Sequence, residues 1–344
     1  MIAKSDVIQL DVTLRDGGYQ NNWGFSQDQA GTLVTQLQSC GIDWIEIGYR
    51  NSPPKETNPG LTGRCPDAYI QALRKLAPSA KLAVMYAPGL VTTSDIDKMA
   101  DLGVAMLRCS LPNSGAAEAL PLIKHAHGRG LVSTANMTHL SEYQMPALIE
   151  EIRQIWDNGC SVVYLADSNG SMTPESVTRA FDELRSALPD VVWGFHNHNM
   201  LGMAMANAIA ALKANIAFID SSLRGMGRSA GNVPTESLVT WMTRQAGRAR
   251  PEPTIAAVIR VANYLDGLFT VATPRPTLQD LAFGAYDFDS LLGPDISEIA
   301  AEYDLSWLTL IAAMAEANLD KPSITVDTIR AVAKDVTARQ LLTH

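Results

Sequence analysis

Val191-Val192-Trp193-Gly194-Phe195-His196-Asn197-His198-Asn199 reads as a buried parallel strand that ends in two histidines two positions apart. Side chains i and i+2 of a strand share a face, so His196 and His198 point the same way. Two imidazoles on one face at a strand end make half of a divalent metal site. Taken alone, the pair is as readily two satisfied polar residues at a strand mouth. The neighbouring segments decide between these readings.

Working outward, short β-rich runs alternate with amphipathic helical stretches. The runs are Val7–Thr13, Asp43–Gly48, Lys81–Tyr86, Ala105–Ser110, Val132–Met137, Ser161–Ala166, Val191–His196 and Phe218–Leu223. Between them lie helical patterns such as Ser26–Ser39, Ser94–Leu102, Tyr143–Asn158 and Pro174–Leu188. Eight β units, each followed by a helix, predict an α/β fold of the (β/α)8 TIM-barrel type. A doubly wound sheet also alternates, but it usually carries G-x-G-x-x-G after its first strand. Here Arg15-Asp16-Gly17-Gly18 follows instead. Arg250-Pro251-Glu252-Pro253 reads as a linker. Beyond it Thr254–Leu268, Leu305–Asn318 and Thr325–Ala338 have helical period, interrupted at Pro274 and Pro276. The expected division is a barrel over 1–250 and a helical C-terminal domain over 251–344.

Composition excludes several function classes. The chain has 344 residues, 47% of them hydrophobic and 18% charged. Those proportions describe a globule with a sizeable core. A net charge of −9 with no Lys/Arg block argues against nucleic acid and anionic membrane surfaces. No apolar run approaches the ~20 residues of a bilayer span, and the start lacks a signal-peptide profile. Cys40, Cys65, Cys109 and Cys160 are scattered without C-x-x-C spacing, which favours reduced thiols in a cytoplasmic protein.

Chemistry in a barrel collects at the C-terminal strand ends. Strand 1 ends in Arg15-Asp16, strand 2 in Glu46 to Arg50, and strand 5 in Asn136-Met137-Thr138-His139. Strand 6 ends in Asp167-Ser168, strand 7 in His196 and His198, and strand 8 runs into Arg224 to Asn232. One carboxylate and two imidazoles supply three ligands and leave room for water or substrate. Arg15 and Asp16 could not both face inward on a regular strand; Gly17-Gly18 offers the chain freedom to leave it there.

Val12-Thr13-Leu14-Arg15-Asp16-Gly17, His196-Asn197-His198-Asn199 and Gly225-Met226-Gly227 with Gly231-Asn232 together resemble the DRE-TIM metallolyase superfamily. The likeness is nearest to its 4-hydroxy-2-oxovalerate aldolases, and Phe283 to Leu305 is similar to their helical C-terminal domain. The resemblance implies that Asp16, His196 and His198 bind a divalent cation, Mn²⁺ or Mg²⁺ before Co²⁺ or Zn²⁺. It implies that Arg15 stabilises the enolate left when a 4-hydroxy-2-oxo acid is cleaved. His139 resembles the histidine after strand 5 of those aldolases, and Tyr286 a tyrosine that reaches their pocket. Glu46, Ser168, Arg224 and Asn232 are candidates to bind substrate, and Asp167 and Asp220 to orient the metal ligands. Met200, Met203 and Met205 read as core packing of the following helix.

One departure stands out. Where the aldolases carry a histidine as general base, this chain has Tyr19, and a phenol has an ordinary pKa near ~10. Base duty then falls to Tyr19, His139 or metal-bound hydroxide. The expected activity is a metal-dependent aldolase acting on a small anionic 2-oxo acid and an aldehyde. Alternatives are an acyl-CoA-dependent Claisen enzyme or lyase, and a catalytically altered assembly subunit. A homo-oligomer, such as a dimer, and an aldehyde dehydrogenase are the expected protein partners.

Overall fold

The computed structural model describes residues 7–53, 56–113, 115–245, 255–269, 276–317, 319 and 321–342. Eight parallel strands close a barrel in chain order: β1 Ile8–Asp11, β2 Trp44–Tyr49, β3 Lys81–Tyr86, β4 Met106–Leu111, β5 Val132–Met137, β6 Val162–Asp167, β7 Trp193–Asn197 and β8 Phe218–Ser221. Closure comes from β8 pairing with β1, with Ile8 opposite Phe218 and Asp11 opposite Ser221. The outer ring is α1 Gln27–Ser39, α2 Asp67–Leu76, α3 Thr93–Asp101, α4 Ala116–Gly128, α5 Met145–Asp157, α6 Pro174–Ala187, α7 Ala204–Lys213 and α8 Thr235–Gln245. Capping boxes at Ser26, Thr92 and Thr173 start α1, α3 and α6. They satisfy backbone N–H groups that a helix leaves free.

The strands divide their side chains between two layers. Ile45, Ile47, Leu82, Val84, Leu107, Val163, Leu165 and Phe195 face the helices in one large apolar cluster. Leu10, Ala83, Met106, Val162, Tyr164 and Phe218 fill the barrel interior. Glu46, Arg108 and Asp220 are also fully or almost fully buried. The Arg108 guanidinium lies 4.3 Å above the Tyr164 ring. There a polar layer meets the apolar plug through a cation–π contact.

Strand β2 departs from regular alternation. Its register against β3 shifts between Glu46 and Tyr49, and Gly48 between them has φ +146°. A Cβ on Gly48 would stand 1.8 Å from the Thr62 carbonyl oxygen, so only glycine fits. Such an irregularity re-aims the side chains that follow it. Glu46 and Tyr49, three apart, consequently both serve the inside of the barrel.

After α8 the chain enters α9 Ile255–Leu268, α10 Leu278–Tyr286, α11 Gly293–Glu302, α12 Trp307–Glu316 and α13 Val326–Leu342. Val258, Val261, Ala262 and Leu265 of α9 belong to the barrel's outer cluster. A second cluster begins at Ala282 and includes Phe283, Phe288, Ile299, Leu310, Met314 and Ile329. The expected division at 250/251, the linker Arg250 to Pro253 and Pro274 lie outside the described residues. No helix among the described residues is long and apolar enough to cross a membrane. Of the methionines after β7, Met200 is buried and Met205 packs against the core. Met203, expected in that packing, instead precedes the first turn of α7 with its side chain substantially exposed.

Candidate active site at the barrel mouth

A cavity of about 390 Å³ opens at the C-terminal ends of the strands. Arg15, Asp16, Tyr19, His139, Ser168, His196 and His198 line it, together with Tyr49, Asn136, Arg228 and Asp289.

The first loop brings Arg15 and Asp16 there together. β1 stops at Asp11, and both Arg15 and Asp16 donate their backbone N–H to the Val12 carbonyl in a turn. Asp16 has helical dihedrals and leads into a 3-10 turn over Gly17–Gln20. Both side chains therefore reach the cavity because the chain has already left the strand. Gly18 serves close packing, since a Cβ there would meet the Trp23 ring at 2.1 Å.

Asp16, His196 and His198 each offer a ligand atom within 4.8 Å of the others, the one such metal-binding group among the described residues. Asn232 donates to Asp16 Oδ2 at 2.7 Å, and a Cβ on Gly227 would collide with both groups at 2.4 and 2.7 Å. Burial alone would raise the Asp16 carboxyl. Arg15, the two imidazoles and Asn232 hold it well below the usual carboxylate range. Burial pushes His198 down to about 3 despite the nearby Asp16 carboxylate, so its ring is neutral with a free lone pair. His198 Nδ1 is buried without a hydrogen-bond partner, 4.0 Å from Asp16 Oδ2. A carboxylate, two imidazoles and an unsatisfied ring nitrogen fit a divalent cation.

Beneath the triad runs a chain of buried ion pairs. Arg15 Nη1 donates to Asp16 Oδ1 at 2.5 Å and its Nε to Glu46 Oε2 at 2.6 Å. Arg108 Nη1 donates to the same Glu46 oxygen at 2.8 Å, and its Nη2 to Asp220 Oδ2 at 2.6 Å. His196 Nδ1 lies 3.0 Å from Asp220 Oδ2, which leaves Nε2 as the nitrogen that could serve as a ligand. The polar chain thus starts at Asp16 and ends at His196, two members of the triad. Arg15 Nη2 is buried with no acceptor. An unmet guanidinium donor in a buried site is costly.

Tyr19 stacks edge-on against Trp23, with ring centroids 4.5 Å apart. Burial, then Tyr49, pushes its phenol well above its ordinary value, the direction expected for a desolvated acid. It is a wall residue here and a poor proton acceptor. At the rim, His139 Nε2 lies 3.2 Å from Asp289 Oδ2, and its backbone N–H donates to Ser168 Oγ at 2.9 Å. Arg228 donates to Asp289 Oδ1, to Ser290 Oγ at 3.1 Å and to the Ser168 carbonyl at 2.6 Å.

Several expected site residues lie elsewhere. Arg224 has φ +59° in the turn after β8, and its side chain meets Asp266 at 2.9 Å and Glu236 at 3.7 Å outside the cavity. Tyr286 ends α10; the left-handed Asp287 after it reverses the chain. Tyr286 lines a groove of about 950 Å³ with Leu308, Ala312, Val332 and Val336 instead. Asp289 and Leu291, from the same segment, reach the barrel cavity in its place. Glu46 and Asn232 sit behind the lining, holding Arg15 and Asp16. Asp220 orients His196, whereas Asp167 accepts the N–H groups of Ser171 and Met172 and shapes its own loop. Asp287 ties the segment to the barrel through Ser141 Oγ at 2.7 Å, Ser171 Oγ at 2.6 Å and Asn169 Nδ2 at 3.1 Å.

Arg108 is the one charged residue of β4, a signal that demands a buried partner. Tyr49 is hidden by the β2 irregularity. Asp289 sits in a segment with no strand-end marker, and only tertiary docking brings it to the cavity.

The HMGL-like family profile matches residues 6–264. The chain belongs to the HMGL-like family. It is 31% identical over 238 residues to an oxaloacetate decarboxylase of Mycobacterium tuberculosis, covering 69% of this chain and 70% of that one. To a 4-hydroxy-2-oxovalerate aldolase of Burkholderia pseudomallei it is 29% identical over 318 residues, covering 91% and 90%. The solved N-terminal domain of an aldolase-like protein from Bacteroides vulgatus superposes with a TM-score of 0.75 at 28% identity, covering 84% of this chain and 96% of that one. The resemblance to the DRE-TIM metallolyases and the TIM barrel both hold, and the HMGL-like chain is an enzyme of the carbon–carbon lyase class.

Proposed function

We propose that this protein is a divalent-cation-dependent aldolase that cleaves, or in reverse forms, the C3–C4 bond of a 4-hydroxy-2-oxo acid. The observation that carries the reading is the unfilled Arg15 guanidinium donor beside Asp16, His196 and His198. When bound, Mn²⁺ or Mg²⁺ supplies electrophilic polarisation of the 2-oxo acid's oxygens. Arg15, fixed by Glu46 and Asp16, offers its remaining N–H to the oxygen on which enolate charge develops. Asp16 is the only carboxylate among the three ligands, so the loaded site keeps positive charge and draws an anionic substrate. The aldolase name of a relative aligned over nine-tenths of the chain supports the substrate class.

A second reading is decarboxylation of a 2-oxo acid with a carboxylate on C3. It is favoured by Tyr19 standing where the aldolases carry a basic histidine, and by the name of the Mycobacterium tuberculosis relative. Both reactions leave the same pyruvate-type enolate, so Arg15 and the triad serve either. With the aldolase activity go a homo-oligomeric state, an aldehyde dehydrogenase that takes the aldehyde onward, and a cytoplasmic location.

The deciding measurement is pyruvate release from 4-hydroxy-2-oxovalerate with Mn²⁺ or Mg²⁺, alongside exchange of pyruvate methyl protons in D₂O. Release and exchange that both vanish with EDTA are expected. Exchange that appears only with an acyl-CoA would move the assignment to a Claisen enzyme.

A further inference from the structure

His139 is the cavity histidine outside the metal triad, and its partner comes from beyond the barrel. Asp289 lies in the segment after α10, and its carboxylate stands between His139 Nε2, at 3.2 Å, and the Arg228 guanidinium. We infer that His139 and Asp289 form a proton-transfer dyad assembled across barrel and helical region, with Asp289 as the positioning residue. The inference rests on the aldolase reading of the site and names the group that moves its proton.

Four observations carry it. An ionised carboxylate only accepts hydrogen bonds, so Nε2 bears the ring proton and Nδ1 keeps its lone pair. His139 lines the cavity beside Thr138, Asn136 and Ser168. Its backbone is left-handed, with φ 55° and ψ 49°. Non-glycine residues keep that conformation where surroundings impose it, often at functional sites. The Ser168 hydroxyl takes its N–H at 2.9 Å and stabilises that turn. The carboxylate is itself anchored, since Asp289 Oδ1 also takes the Leu291 N–H at 3.0 Å while Arg228 reaches Ser290. A base oriented by a fixed third group is the recurring arrangement for proton abstraction.

In the cleavage direction, Nδ1 takes the proton of the substrate's C4 hydroxyl. The C3–C4 electron pair passes into the departing 2-oxo acid as its enolate, and the C4–O bond becomes the aldehyde carbonyl. The enolate then takes its C3 proton from water and gives the 2-oxo acid, while His139 passes the hydroxyl proton to solvent. The charged groups facing the imidazole are Asp289 and Glu142, with Arg228 paired to Asp289, Asp287 near Glu142, and Lys321 paired to Asp287.

Decarboxylation of oxaloacetate provides the internal control, because it passes through the same enolate without removing a hydroxyl proton. With the full chain and Mn²⁺, His139→Asn should lower kcat for 4-hydroxy-2-oxovalerate by ~10²–10⁴, the range of a lost general base. Asparagine tolerates the left-handed backbone, so the variant keeps the turn. Asp289→Asn should lower kcat for the hydroxy acid less than His139→Asn does, with Asp289→Glu restoring part of the loss, as expected of a group that orients the base. Oxaloacetate turnover should stay within about twofold in both variants, the scale of an energetically neutral substitution. Equal loss of both reactions, or loss of neither, overturns the dyad. A wild-type chain that leaves the hydroxy acid intact overturns the aldolase reading and the dyad with it.

Discussion

At the floor of the cavity, Asp16 and His196 are joined through Arg15, Glu46, Arg108 and Asp220, all within one barrel and away from water. At the rim, His139 and Arg228 are joined through Asp289, which arrives from the helical region and remains partly open to solvent. The two ends differ in what a broken contact costs. Removing one member of a buried ion pair leaves an uncompensated charge, an effect on the order of 3–5 kcal/mol. A solvent-facing pair is worth about 0–1 kcal/mol. The floor is therefore preorganised, suited to fixing a metal and an oxyanion donor. At the rim His139 and Asp289 keep some access to water while Arg228 is buried, so water compensates a broken contact there in part.

The largest effect belongs at the floor's metal end. His198→Ala removes a ligand whose neutral ring has an unpartnered Nδ1. Elemental analysis should find the metal lost, and kcat should fall beyond the ~10²–10³ that follows loss of one oxyanion donor. Full metal content in that variant would break the assignment of the triad. Arg15→Lys comes next. It keeps the charge but loses the planar fork that meets Glu46, Asp16 and the substrate together. A kcat lower by about 10² with metal content unchanged is expected; an unchanged kcat would remove Arg15 from the chemistry.

Asp220→Asn tests whether the ion-pair chain matters beyond its two ends. The amide no longer fixes His196 in the tautomer that presents Nε2, and Arg108 loses its charge partner. Mn²⁺ affinity measured by calorimetry should fall about 10–100-fold, the usual cost of losing a ligand's supporting carboxylate. Unchanged affinity would mean that apolar packing alone orients His196, and the contrast between floor and rim would weaken.

Much of the floor is legible in the sequence because strand alternation and barrel topology are local rules. His196 and His198 share a face by period two, and β7 runs from Trp193 to Asn197 where the apolar run suggests it. Asp16 is legible for a similar reason, although the turn after Val12, not the strand, aims it. The rim is less legible. His139 is marked by its place after β5, but Arg228 and Asp289 are 61 residues apart and meet only when the helical region docks. Arg224 leaves its expected place for a local reason that no pattern reveals: a left-handed backbone turns it outward to Glu236 and Asp266. Helices α10 and α11 are not delimited by pattern either. Their apolar residues interleave with Gly284, Gly293 and Pro294, which obscure the period.

The smallest expected effect is at Tyr286, and it bears on how far the rim moves. The resemblance that identifies the triad also points to this tyrosine as a pocket residue. In the structure it is 38% exposed and lines the groove between α12 and α13, away from the metal triad. The reversal at Asp287 is held by Ser141, Ser171, Asn169 and Lys321, so turning Tyr286 inward would break contacts to the barrel loops and to the helical region. Tyr286→Ala should therefore leave kcat for 4-hydroxy-2-oxovalerate within about twofold, as for a surface change of about ±0.5 kcal/mol. A drop of about 10² or more, the scale of a group that acts in the chemical step, would show that the segment rearranges when substrate binds, carrying Tyr286 to the cavity. Because Asp289 shares that segment, the same rearrangement would draw it from His139. Tyr286→Ala would then lower kcat while Asp289→Asn left it unchanged, the reverse of what the present arrangement predicts.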